Sequence, residues 1–186
     1  EFEFIAPIRS VPYSTWSTAG AILTQTGIPQ ILPEYHWKSR TEYNMDYIAQ
    51  VKGIPDILSS INYNLKYSTN GENSIMGFDK WVKSRNYSRI YTAKSDEDLF
   101  SFFTDKYLTE IDNDIRNNNT KYLLFIVNTN THSPYNIPKW CNLKFPKIAQ
   151  AQKCFYCVDN LLGKFVKKFL ELKMDEHTLL AFFSDH

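Results

Sequence analysis

A doubly wound α/β domain, with a mostly parallel sheet sandwiched between helices, is the architecture expected of this chain. Two observations point to it. The runs "KYLLFIV" at 121–127 and "TLLAFF" at 178–183 are continuous apolar stretches of strand length, the pattern of strands buried on both faces. Around them lie segments whose apolar residues recur at helical spacing, so that strand and helix alternate without an internal repeat.

Each element has its own signal. Residues 2–6 read as a short strand and Pro12 to Thr15 as a turn. From Thr18 to Thr26, Ala19, Ile22 and Leu23 share a helical face; Gly27 is placed to cap that helix and Pro29 to prevent its continuation. Residues 33–52 are polar and aromatic and read as a surface excursion. Pro55 favours a helix start at 55–61, and a strand follows at 63–68. "SDEDLFSFFTDKYLTEID" opens on an N-cap, Ser95, with acids in the first turn and Leu99, Phe102, Phe103 and Leu108 on one face. A second amphipathic helix is expected from Ala149 to Leu172, with Phe155, Val158, Leu161, Leu162, Phe165 and Phe169 inward. The apolar run 178–183 then closes the sheet and delivers Ser184, Asp185 and His186.

The chain has 186 residues, 43% of them apolar and 16% aromatic, enough for one domain with a real core. Its formal charge of +1 gives no electrostatic case for a nucleic-acid partner or an anionic membrane surface. No apolar run reaches the length of a membrane span, and "EFEFIAPIRS" lacks a signal-peptide pattern. Cys141, Cys154 and Cys157 make no disulfide framework, and the Cys154/Cys157 pair reads as packing within a helix. Asn86-Tyr-Ser88 and Asn118-Asn-Thr120 have sequon spacing, which chance explains in so Asn-rich a chain.

Three places carry chemistry. His132 and His186 lie shortly past the carboxyl ends of the two apolar strands, and in an open α/β sheet that edge is where ligands bind. His186 follows Asp185 directly, a carboxylate and imidazole pair suited to a metal or to acid–base work. Ser17 and Thr18 fall where extended chain becomes helix, where unpaired N–H groups and the helix dipole favour an oxyanion and help a hydroxyl ionise. The plainer alternative for Ser17 or Thr18 is an N-cap. His36, Trp37 and Arg40 read as an exposed loop, His177 as surface, and the charges of 94–98 and 164–173 as solvated helix faces.

In series these segments resemble the alkaline phosphatase/sulfatase superfamily, and within it the phosphoglycerol transferase and lipoteichoic acid synthase branch. "TWSTAGAILTQTGIP" looks like that branch's nucleophile segment, and "IPDILSSINYNLKYSTNG" like its next helix and strand. "NTHSPY" is similar to its substrate-binding His-x-Pro-Tyr/Phe turn, and "CVDNLLGKFVKKFLELKMDEHTLLAFFSDH" to its closing helix, strand and metal-binding Ser-Asp-His. The blocks follow family order and cover nearly the whole chain. On that resemblance residues 1–186 are part of a catalytic domain, incomplete at both ends, with the family's first metal ligand, an acid, upstream of residue 1.

The resemblance implies roles residue by residue. Ser17 matches the nucleophile, lying ten residues before the glycine of Thr26-Gly27, with Thr18 beside it on the substrate side. Asp185 and His186 match the metal pair, joined by the Ser17 oxygen, and His132 matches the histidine that contacts the transferred group. The C/S-x-P-x-R signature required for formylglycine is absent, since Ala19 and Ala21 stand where Pro and Arg belong, so an unmodified hydroxyl is implied. Mixed Asp/His ligation favours Mn²⁺ or Zn²⁺, with Mg²⁺ and Ca²⁺ as alternatives. The implied substrate is a phosphate or sulfate ester of a small molecule, lipid head group or glycan, hydrolysed or transferred through a covalent serine ester. The implied setting is extracytoplasmic or lumenal, tethered to a membrane by segments outside these residues. Two rival readings stand beside it. A metal-free serine hydrolase would use Ser17, His132 and Asp185, but Thr15-Trp-Ser17-Thr-Ala19 lacks both glycines of a nucleophile elbow. A non-catalytic relative would keep the fold and bind a partner or glycan.

Overall fold

The computed structural model describes residues 17–28, 51–70, 78–132, 134–144 and 147–183. These fall into two compact units, one drawn from residues 1–60, 73–86 and 181–186, the other from 61–72 and 87–180.

In the first unit, α1 (Ser17–Thr26) ends as its sequence requires. Gly27 takes φ +69 and returns its N–H to the Leu23 carbonyl at 2.7 Å, a left-handed cap that glycine adopts without strain. Gly53 precedes α2 (Ile54–Ser60) for a different reason: a Cβ there would lie 2.5 Å from the Gln25 carbonyl oxygen. Asp56, in the first turn of α2, accepts the Gly53 N–H at 2.8 Å and the Arg85 Nε–H at 3.0 Å. Arg85 follows α3 (Phe78–Ser84), lies 3.4 Å over the Trp81 ring and donates to the Val51 carbonyl. Trp81 and Ile22 are fully buried, and the Trp81 indole donates to Gln25 Oε1 at 3.2 Å, so its one polar atom is satisfied inside.

The second unit is built on three parallel strands in the order β2-β1-β3: β1 (Tyr63–Thr69), β2 (Ser88–Thr92) and β3 (Lys121–Val127). From β2 the chain runs through α4 (Asp96–Phe102), a π-helical turn (Phe103–Tyr107) and α5 (Leu108–Asn118) before re-entering as β3 on the far side of β1. Asn119 ends α5 in the left-handed conformation, which asparagine tolerates. After β3 come α6 (Lys139–Lys144), the long α7 (Gln150–Glu171) and a 3₁₀ turn (Met174–Glu176).

One face of this sheet, carrying Ile90, Tyr122, Leu124 and Ile126, packs against a core of Leu99, Phe100, Phe103, Leu108, Val158, Leu161, Phe165 and Phe169. Burying each large side chain in such a core contributes on the order of 2 kcal/mol. Ser95 caps α4 as expected, its hydroxyl accepting the Asp98 N–H at 3.1 Å.

The parallel α/β architecture stands as expected, and 121–127 is a strand, although Tyr122 to Val127 are half-buried rather than buried on both faces; four further details differ. Strand β2, α3 and α6 are short elements whose sequences carry too little periodicity to predict them. Phe155 is 59% exposed, because the buried stripe of α7 runs through Cys154, Cys157, Val158, Leu161 and Phe165, one residue out of phase with it. Cys157 is bonded to Cys141 in a disulfide with Cα atoms 6.0 Å apart, while Cys154 stays a buried thiol. Residues 178–183 pair with no strand among the described residues, and Leu179, Phe182 and Phe183 are 93%, 46% and 67% exposed. The strand expected at 2–6, the turn at 12–15 and the excursion at 33–52 with His36, Trp37 and Arg40 lie, all but residues 51 and 52, outside the described residues.

Candidate active site

Because the three strands are parallel, their carboxyl ends share one edge, and the chain there is almost wholly polar. Asn70 follows β1, Asn128 to Asn130 follow β3, and Asp96 opens α4 just past β2. These residues converge on one carboxylate. Asp96 is fully buried, and it accepts from Asn70 Nδ2 at 2.7 Å, Asn128 Nδ2 at 3.1 Å, the Thr129 N–H at 3.0 Å and the Asn130 N–H at 3.2 Å. Asn70 adds two cross-links of its own, donating to Asn130 Oδ1 at 3.0 Å and accepting from the Thr129 hydroxyl at 3.0 Å. A buried charge is tolerated only when so surrounded.

This network sets the start of the turn that carries His132. The His132 N–H donates to the Thr129 carbonyl at 3.0 Å, and its own carbonyl accepts the Tyr135 N–H at 2.8 Å. Tyr135 takes φ 57, which bends the turn back so that Asn130 Nδ2 reaches the Asn136 carbonyl at 3.0 Å. Helix α7 holds the same turn from its first turns: Gln150 donates to the Pro134 and Tyr135 carbonyls at 3.2 and 3.3 Å, and the Cys154 thiol donates to the Asn130 carbonyl at 2.7 Å. Burial first, and then the charge of Asp96, push the Cys154 thiol pKa up, so it stays a protonated donor. His132 is exposed at the tip of this braced turn, beside an open cavity of about 510 Å³ lined by Pro134, Tyr135, Asn136, Ile148, Gln150 and Lys153.

Ser17 and Thr18 are the first residues of α1, in the first unit, where the strand-to-helix junction was expected. Asp185 and His186 lie outside the described residues, and among the described residues no cluster of three or more His, Cys, Asp or Glu could hold a metal. Of the predicted site residues, Ser17, Thr18 and His132 are among those described.

A model of the sulfatase family matches residues 19–186 of this chain. The chain belongs to the sulfatase family. Its fold is that of solved alkaline phosphatase-like structures. The lipoteichoic acid synthase LtaP from Listeria monocytogenes superposes with a TM-score of 0.61 at 17% identity over 84% of this chain and 40% of that one. A protein of the alkaline phosphatase superfamily from Vibrio parahaemolyticus gives 0.57 at 21% identity, again over 84% of this chain and 40% of its own. The sulfatase-family chain described here thus spans about 40% of the length of either structure. No curated protein sequence matches it.

One expectation changes. Asp96, counted among solvated helix charges, is fully buried and organises the strand ends. The signal for it was present in the asparagines that follow two strands, at Asn70 and in "NTN" at 128–130, but which acid they would meet is not a local property. His177 is exposed, as expected of a surface residue, and from there its Nε2 reaches Asp112 Oδ1 at 3.1 Å, while Arg116 Nε donates to the same carboxylate at 2.9 Å.

Proposed function

We propose that this chain is the part of a phosphate or sulfate ester hydrolase or transferase that supplies the nucleophile, Ser17, and an oxyanion contact, His132. What supports the reading is that the sulfatase-family match spans residues 19–186, which include His132 and begin two residues after Ser17, and that α1 runs from Ser17 to Thr26, the first turn of a helix having backbone N–H groups without intrahelical partners. In the proposed reaction the Ser17 oxygen attacks the phosphorus or sulfur in line, its proton leaves to solvent, and the bond to the leaving alcohol breaks as that alcohol gains a proton from His132. Water or an acceptor alcohol then attacks the serine ester, giving its proton to His132, and the bond to the Ser17 oxygen breaks as that oxygen takes a proton from solvent. Thr18, next along the helix start, would contact the substrate's oxygens.

The proposed donor set of carboxylate, imidazole and hydroxyl at Asp185, His186 and Ser17 has the hard and borderline character that suits Mn²⁺ or Zn²⁺. A divalent cation held there would neutralise charge on the transferred group and lower the hydroxyl pKa. The polar cavity beside the His132 turn offers room for the leaving or accepting alcohol, whether head group or sugar. The Cys141–Cys157 disulfide fits an oxidising, extracytoplasmic compartment. Among the described residues no helix is long and apolar enough to cross a membrane.

The test is hydrolysis of aryl phosphate and aryl sulfate esters by the full-length protein, with and without Mn²⁺. Turnover should depend on the metal and fall by at least about a thousandfold in Ser17→Ala. Turnover indifferent to chelator, or retained in Ser17→Ala, would overturn the reading.

A further inference from the structure

We infer that Asp96 is a positioning residue for the His132 turn: the carboxylate fixes the height and direction at which that turn leaves β3, and so where the imidazole meets the transferred group. The inference rests on the role proposed above for His132, and the geometry is specific to it. The Asp96 side chain bonds nothing on its own helix; both of its oxygens are spent on the ends of β1 and β3. Two of its donors are the consecutive main-chain N–H groups of Thr129 and Asn130, and the Thr129 carbonyl is what receives the His132 N–H. The path from the Asp96 carboxylate to the His132 backbone is therefore one residue long and consists of hydrogen bonds of 3.0 Å.

Only an acceptor on both oxygens satisfies this arrangement. Oδ1 takes Asn70 Nδ2 and the Thr129 N–H; Oδ2 takes Asn128 Nδ2 and a share of the Asn130 N–H. An asparagine at 96 would turn an NH₂ group toward at least one of these donors, and in a fully buried site no water relieves the conflict. The cheapest relief is for the Thr129–Asn130 peptides to move, which carries His132 with them. Misplacing a contact to the reacting group by about an ångström costs on the order of a hundredfold in rate.

The experiment compares wild type, Asp96→Asn, His132→Ala and the double variant in the full-length protein, by ester turnover and by amide hydrogen exchange at Thr129 and Asn130. Asp96→Asn should lower kcat/KM by about a hundredfold in the wild-type background, chiefly in kcat, and by less than about threefold when His132 is already alanine. Exchange at Thr129 and Asn130 should quicken at least about tenfold while α7 amides keep their protection. Equal losses of kcat/KM in both backgrounds would reduce Asp96 to a general structural part and overturn the inference, as would unchanged exchange at the two amides. If wild type turns over no ester, the proposed reaction fails while the exchange measurement still decides whether Asp96 anchors the turn. Should Asp96→Asn not fold, Asn70→Ala keeps the carboxylate and removes three cross-links; a smaller loss of about tenfold, again cancelled in His132→Ala, is expected, and an uncancelled loss refutes the role.

Discussion

Asp96 and Asp112 are both buried in the same unit, yet their partners are of opposite kinds. Among the described residues, Asp96 is met only by neutral amides and main-chain N–H groups from the ends of two strands. Asp112, on α5, is met by a cation: Arg116 chelates it at 2.9 and 3.0 Å, and His177 adds a third contact at 3.1 Å. Arg116 also reaches the Leu172 carbonyl at 3.0 Å, so that clasp ties α5 to the end of α7 and the turn behind it. The difference teaches where each carboxylate acts. An ion pair on one helix face staples elements that apolar packing has already brought together, whereas a carboxylate that collects peptide N–H groups dictates the path of a loop.

That contrast can be broken from either end. The largest effect expected is at the Asp96 end, where the Cys141–Cys157 disulfide secures α6 to the helix that donates through Cys154 to the turn. Reducing it should cost about 3 kcal/mol, from a sequence separation of 16, and should speed exchange at Asn130 while leaving the Asp112 clasp intact. Urea unfolding with and without reductant measures the first, and exchange mass spectrometry the second. Next comes Asp112→Asn, which leaves Arg116 and His177 with a neutral partner. Because the Arg116 side chain is 41% exposed, the loss should be only about 1.5 kcal/mol in urea, with ester turnover unchanged.

Ser95→Ala removes the cap of α4 without touching the Asp96 carboxylate. A loss of about 1 kcal/mol is expected. A fall in turnover tenfold or greater in that variant would show that the frame of α4 matters to the site as much as the acid on it.

The smallest effect concerns a third carboxylate, Asp114, which is half-open to solvent. Asn118 and then Tyr122 hydrogen-bond to it and hold its pKa below the usual carboxylate range, while burial and then Asp114 push the Tyr122 phenol up to about 12. A phenol raised in the folded state contributes stability present below its ordinary pKa near 10 and lost as pH rises toward 12. Spectrophotometric titration of Asp114→Asn should show one tyrosine titrating nearer pH 10, with little change in stability at neutral pH.

Much of this was legible locally. Gly27 as a cap, Ser95 as an N-cap, and the strand at 121–127 follow from single residues and from a run of apolar ones, because cap geometry and local strand preference are properties of a few adjacent residues. The family was also legible, since the blocks around Ser17 and His132 occur in order along the chain. Strand β2 was not: "SRIYT" is short, and its place beside β1 is decided by pairing with residues some twenty positions away. The run at 178–183 erred in the opposite sense, being apolar enough for a strand but joined to no ladder among the described residues.

The sequence by itself thus determined the helix caps at Gly27 and Ser95, the strand at 121–127 and the residue types offered for ester chemistry, because each rests on short-range sterics, hydrogen bonding or composition. Tertiary structure alone decided that Asp96 is buried rather than solvated, that Cys157 bonds Cys141 rather than packing beside Cys154, and that His177 faces Asp112. A buried carboxylate is tolerable only when donors from several strand ends arrive together, and that arrival is a property of the folded sheet edge, not of any one segment.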